Sequence, residues 1–249
     1  MATISKEEWN TYIALMRQVN EKAAMDLVSY MRHRFGAGLI DPTTLTVEQR
    51  KELIDYAYAI VQKYGEASAA LAAEMYDATA ILEGHYITPA EIAPLAEYGD
   101  VAKAVNGTLL QSGNFEEIAG AATRWVKMAG ADTTLHNAIR DGAEFAWIPR
   151  GETCAFCLTL ASRGWQPASK KIIKNGHAEH IHSNCDCQYA IRYNERTEIE
   201  GYDPDKYLSM YQHAEGRTPQ ERINSMRRAA YAADKETQGI DNQGLIDVN

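Results

Sequence analysis

Phe145-Ala146-Trp147-Ile148-Pro149-Arg150-Gly151-Glu152-Thr153-Cys154-Ala155-Phe156-Cys157 is where the character of the chain changes. Four apolar residues in a row, two of them aromatic, run into a proline and then into a pair of cysteines, which reads as a short strand feeding a zinc knuckle. A partner strand is available downstream: Gln188-Tyr189-Ala190-Ile191-Arg192-Tyr193 follows the last cysteine with alternating character. A small sheet is therefore implied in the middle of a chain that is otherwise written in helical spacing.

Upstream, a helix-start grammar repeats, in which a hydroxyl or amide caps the first turn and a carboxylate or amide reaches back. Ser5 with Glu8, Thr46 with Gln49, Thr88 with Glu91 and Asn114 with Glu117 all fit it, and Pro89 follows Thr88 at a position where its missing N–H costs nothing. Gly36, Gly65, Gly84, Gly99 and Gly130 stand where C-caps are expected. The spacing predicts helices near 5–35, 46–64, 66–83, 89–98, 100–112, 114–129 and 132–144. Within them apolar positions recur on one stripe, as in Leu53, Ala57, Ile60, Val61 and Tyr64, so the aromatic residues Tyr56, Tyr58, Tyr64 and Tyr76 read as core or interface rather than a stacking platform.

Downstream, the polar and basic stretch Ala168–His180, with Asn175-Gly176 as a turn signal, predicts a hairpin or exposed loop. Asp203-Pro204 opens a helix ending near Gly216, Thr218-Pro219 opens another running to about Lys235, and the last dozen residues read as frayed. The fold class expected is α+β: a mostly helical region over 1–144, a small β-containing zinc-binding module over 145–196 and a helical tail over 197–249.

Composition bounds the function. The 249 residues are 45% hydrophobic and 24% charged, ordinary for a globular chain. No apolar run approaches the roughly 18–20 residues of a membrane span, and Met1–Trp9 is polar, so an intracellular product without a membrane partner is expected. A net charge of −9 argues against a protein that simply coats nucleic acid. The cysteine module is locally basic, however: Arg150, Arg163, Lys170, Lys171, Lys174, Arg192 and Arg196 outnumber Glu152, Glu179, Asp186 and Glu195.

All four cysteines lie between Cys154 and Cys187. Zinc favours thiolate and imidazole in tetrahedral array, and paired ligands one or two residues apart let a tight turn present two of them to one ion. Cys154-Ala-Phe-Cys157 supplies one pair, and His182-Ser-Asn-Cys185-Asp-Cys187 supplies three further donors, so five candidates compete for four places. Four protein ligands close the site against substrate, which makes a Zn2+ ion here structural. Buried thiols without metal, a disulfide and a redox pair are the alternatives, the last disfavoured because no βαβ pattern precedes the pair. His177-Ala178-Glu179 has the His-x-Glu of zinc deaminases, but it follows the cysteine pair instead of preceding it, and Thr153 stands where that signature has proline. With no Gly-x-Ser-x-Gly and no phosphate-cradling glycine loop, a non-enzymatic protein is expected. His33, His85, His136 and His213 have no evident partners in the sequence. A zinc-dependent nucleic-acid-binding or processing protein is the other reading, resting on Arg163, Lys170, Lys171 and Lys174, with only Trp165 available for stacking.

The run from Phe145 through Thr153-Cys154-Ala-Phe-Cys157, followed by His182-Ser-Asn-Cys185-Asp-Cys187, resembles the head-morphogenesis domain of tailed-phage minor head proteins, the phage Mu F-like family. Tyr64–Asp77 is similar to the helix found upstream in relatives from phages and prophages of Gram-positive bacteria. Where that family commonly has an Asp-x-Arg-Thr lead-in and an arginine between the last two cysteines, this chain has Arg150-Gly-Glu-Thr153 and Asp186; no ligand is lost by either change. The resemblance implies a virion assembly protein of the portal vertex and procapsid interior, partnered by the portal and other head proteins. On that reading it is expected to act in head assembly, DNA packaging or ejection and to pass from the host cytoplasm into the phage head, and the basic residues Arg163, Lys170, Lys171 and Lys174 are the candidate contact with packaged DNA. The toxin or protease domain that some relatives append is not expected in the stretch after Cys187.

Overall fold

The computed structural model describes residues 2–36, 38–86, 88–149, 155–170 and 187–229. Four long helices carry the N-terminal part: α1 (Lys6–Phe35), α2 (Val47–Leu82), α3 (Tyr98–Gln111) and α4 (Phe115–Asp141). The predicted capping boxes form at Ser5 with Glu8 and at Thr46 with Gln49, and Asn114 accepts from the Glu117 N–H. Gly36 and Gly84 sit at left-handed φ just past their helices, as read. The α+β class holds: mostly helix, with two small sheets.

Two expected breaks are absent. The segments 46–64 and 66–83 are one helix, α2, and 114–129 and 132–144 are one helix, α4, that gives way to a strand at Glu144. Gly65 and Gly130 are not caps; they lie where helices come close. A Cβ on Gly65 would meet Leu95 Cδ2 at 3.5 Å and Ala129 Cβ at 3.6 Å, ordinary contact, whereas one on Gly130 would fall 2.5 Å from Met16 Cε, 2.8 Å from Ser68 Oγ and 3.2 Å from the Ser68 carbonyl oxygen. Gly99, also read as a cap, lies in the first turn of α3.

The helix expected over 89–98 does not form. Pro94 would remove a hydrogen bond from its interior and press its ring on the carbonyl four residues back. The stretch instead runs as a non-helical strap whose backbone is bonded by side chains of α2 and α4. Asp77 Oδ1 accepts from the Ala90 N–H and Asn137 Oδ1 from the Glu91 N–H, each at 2.9 Å. Thr133 Oγ1 accepts from the Ala93 N–H at 3.2 Å, while Asn137 and Gln62 donate to the carbonyls of Glu91 and Ala96. Asn137 and Thr133 are fully buried; each donates to a carbonyl of α4, and the strap takes up the rest of their bonding capacity.

Beyond α4 come β2 (Glu144–Ile148), α5 (Ala155–Ala161), β3 (Gln166–Pro167), β4 (Gln188–Arg192), β5 (Glu198–Ile199) and α6 (Pro204–His213), with residues 219–229 helical. The predicted strand pairing is present. β2 is the centre of an antiparallel sheet of order β3-β2-β4, with Trp147 opposite Tyr189 and Phe145 opposite Ile191. Both sheet faces are covered, which is why these strands read as continuous apolar runs. Phe145, Trp147, Tyr189 and Ile191 face Tyr76, Met128, Leu135 and Leu160, and Ala146, Ile148 and Ala190 join Trp9, Tyr12, Ile13 and Met16. Hydrophobic clusters thus span the change from helix to strand at residue 144. The parallel pair β1 (Thr3–Ile4) with β5, two residues each, was beyond the reach of periodicity.

The close contact at Gly130 yields a paired test. Gly130→Ala should cost about 1–3 kcal/mol as an overpacking change, while Gly65→Ala should be neutral or stabilising by up to about 1 kcal/mol through helix propensity. Urea denaturation of the two variants checks it; equal effects would remove the close-contact assignment.

Candidate metal centre

Cys157 lies in the first turn of α5, which Ala155–Ala161 form as helix where a knuckle was expected, and Cys187 immediately precedes β4. They are 1% and 6% exposed and belong to one hydrophobic cluster with Phe145, Trp147, Tyr189 and Leu160. Two elements distant in sequence therefore deliver a sulfur each to the same buried region. Trp147 is T-stacked on Tyr189 with ring centroids 4.5 Å apart. Its indole Nε1 is buried with no hydrogen-bond partner among the described residues. Tyr207 of α6 closes this end, its hydroxyl pKa raised first by burial and then by the nearby Cys187 sulfur and Asp203.

The remaining candidates Cys154, His182 and Cys185 lie outside the described residues, as do Lys171, Lys174, most of the loop over 168–180 and the frayed end. Among the described residues no group of three His, Cys, Asp or Glu side chains is gathered for a metal. Arg163 follows α5, and Lys170, expected in a hairpin or loop, is helical; both are exposed.

The donor set suits zinc in kind. Thiols are the ligands a structural zinc takes, and the unpartnered Trp147 N–H in the same cluster is a donor of the kind that a thiolate ligand accepts. In the sequence Cys154 and Cys185 lie three and two residues from Cys157 and Cys187.

A family model described as VG15 protein matches residues 3–214. The chain belongs to the VG15 protein family. It is a family of phage gene products, and the match runs from β1 through α6, taking the helices and the cysteine-bearing sheet as one unit. No curated protein and no solved structure matches the chain. Among the described residues of this VG15 protein no helix is long and apolar enough to cross a membrane.

The sequence reading missed a polar cluster at the end of the sheet. Tyr193 donates to the Tyr76 hydroxyl at 2.6 Å, and Tyr76 donates to Asp141 Oδ2 at 2.9 Å. Arg140 holds both Asp141 oxygens at 2.8 Å and reaches the Thr88 and Pro89 carbonyls. Glu83 accepts from the backbone N–H groups of Tyr193 and Asn194 at 3.0 and 2.8 Å, and His85, read as partnerless, stacks on Tyr193 at 3.9 Å. These bonds tie α2, α4, the strap and the end of β4 together. Only the adjacent Arg140-Asp141 could have signalled it, and i,i+1 neighbours in a helix rarely announce a joint role.

Two carboxyls of α4 are tuned in opposite senses. Burial pushes Asp141 up, but the bonds from Arg140 and Tyr76 outweigh it and hold its pKa below the ordinary value. Asp132 is pushed up to about 6 by burial. A lowered folded-state pKa adds stability above the unfolded value that is lost as pH falls through the folded one; a raised pKa adds stability at low pH that is lost as pH rises through it. Asp141→Asn should therefore cost about 1–3 kcal/mol at pH 7 and less below pH 4. Asp132→Asn should stabilise by about 1–2 kcal/mol at pH 7 and by little at pH 4. Thermal melts of both variants across that range check the opposite signs.

Proposed function

We propose that this VG15 protein is a non-enzymatic virion assembly protein of the phage head. It would act at the portal vertex and procapsid interior, in head assembly, DNA packaging or ejection, with a structural zinc ion holding its C-terminal module. The single observation that carries the proposal is the burial of Cys157 and Cys187 in one hydrophobic cluster, in the first turn of α5 and just before β4, in a chain of a phage family. Support also comes from the resemblance of the Phe145–Cys157 and His182–Cys187 motifs to the head-morphogenesis domain.

The residues that would hold the ion are Cys157 and Cys187 with two of Cys154, His182 and Cys185. Its contribution would be mechanical: a four-ligand ion would tie α5 to the start of β4 and offer no open position for reaction. Partner surfaces would then lie elsewhere, on the helices and on the basic stretch of Arg163, Lys170, Lys171 and Lys174.

Two measurements test this. The purified chain should carry about one zinc by elemental analysis, and Cys157→Ser should lose it together with the folding of the β2–β4 sheet, since structural zinc is worth on the order of 10 kcal/mol in small domains. A metal-free variant that keeps the wild-type melting temperature overturns the zinc assignment. Virions of the encoding phage should contain the chain in few copies by mass spectrometry. Its absence from heads, coupled with DNA affinity that falls steeply with added salt, would instead favour the nucleic-acid-binding reading.

A further inference from the structure

The start of α1 and the end of α2 leave between them an open groove of ≈ 940 Å³. Its floor is apolar and buried, with Ile4 and Tyr12 from one side and Thr79 from the other. Its walls carry Leu15, 41% exposed, and Ile81 and Leu82, 77% and 48% exposed. The groove exists because the residues between the ridges are small: Ser5, Thr11 and Ala78 leave the space that larger side chains would fill. Along α2 it runs from Leu71 to Leu82, about three helical turns or ~17 Å. Contiguous exposed apolar side chains of this kind, rimmed by polar ones, mark interaction sites.

The charge of the rim selects the occupant. Glu7, Glu8 and Glu74 line the groove, and no Lys or Arg is among its described lining residues. A second copy of this chain laid groove to groove would bring like carboxylates together. Segment 230–249 carries Asp234, Glu236, Asp241 and Asp247 against a single Lys235, so it is repelled as well. Nucleic acid and anionic lipid meet the same repulsion. The remaining fit is an element with an apolar stripe flanked by cations.

We infer that this groove docks an amphipathic helix of a partner protein, its apolar ridge seated on Leu15, Met75, Ile81 and Leu82 and its flanking Lys or Arg residues paired with Glu7 and Glu74. The anchors of such a helix recur at i, i+3, i+4 and i+7, a spacing that three turns of groove accommodate. The assignment does not depend on the head-assembly reading or on zinc; it would hold for this chain in any setting.

The experiment uses the full chain and fluorescein-labelled synthetic peptides of about 14 residues, built from Leu and Lys in helical amphipathic order, with two controls: a scrambled peptide and one with Glu in place of Lys. Fluorescence anisotropy should show the Lys peptide binding at least ~10-fold more tightly than either control, a gap of about 1.4 kcal/mol. Glu74→Lys, and Ile81→Lys combined with Leu82→Lys, should each weaken it by ~10-fold or more. Leu15→Asp on the opposite wall is the second variant, and circular dichroism confirms that each remains helical. Equal binding of the scrambled and ordered Lys peptides, or affinity unmoved by all the variants, overturns the inference. So does a wild-type dimer in light scattering that Ile81→Lys with Leu82→Lys dissolves, which would give the groove to a second copy.

Discussion

The rest of this molecule is hung on the crossing of α2 over α4, which is tightest where one residue has no side chain. Gly130 lies under Ser68 at a separation that a methyl group would fill with overlap. Gly65, Ala69, Ala72, Ala122, Ala129 and Thr133 continue the small-residue surfaces along the same two helices, all buried. Close approach lets polar side chains on the two helices bond a third segment between them, and so the strap through Pro89 and Pro94 is held by Asp77, Asn137, Thr133 and Gln62 without secondary structure of its own. Were the helices set wider apart, the buried Asn137 and Thr133 would keep their bonds within α4 and lose those to the strap, at about 1 kcal/mol each.

The sheet inherits its position from the same pair. α4 passes into β2 through Ala143 alone, Gly142 having ended the helix in the left-handed conformation, so the direction of β2 is set within two residues of the helix end. α1 then covers one face of the sheet, and the C-terminal halves of α2 and α4 the other. Cys157 and Cys187 are buried because they border β2 and β4 on the face that α4 and α5 close. At the far end of the ladder Arg192 pairs with Glu144 at 2.7 Å and lies over Trp165. The Tyr76, Asp141 and Tyr193 chain of hydroxyls and carboxylate then locks that end to the helices.

How much of this was legible is best judged residue by residue. Ser5, Thr46 and Asn114 announced their helices because capping is a local interaction, complete within four residues. Phe145–Ile148 and Gln188–Tyr193 announced a sheet because burial on both faces leaves a continuous apolar run. Gly65 and Gly130 misled because a glycine that ends a helix and one that lets two helices touch look alike in one dimension; only the partner helix distinguishes them. Thr88-Pro89 misled because its start signal is sound locally, while Pro94 and the waiting side chains of Asp77 and Asn137 settle the matter at long range. Of the five proposed ligands, burial of Cys157 and Cys187 in one cluster is a tertiary fact that spacing could suggest but not supply.

The two-residue ladder of β1 with β5 joins Thr3 and Ile4 to the segment after the cysteine-bearing sheet, and Lys6 N–H reaches Glu200 across 194 residues of sequence. Trp9, Tyr12 and Ile13 have Leu71 and Met75 of α2 beside them, but their cover is complete only when Ala146, Ile148, Ala190 and Ile199 arrive. During synthesis at about 5–20 residues per second, the start of α1 is therefore incompletely covered for roughly 10–40 s before the last of its neighbours leave the ribosome.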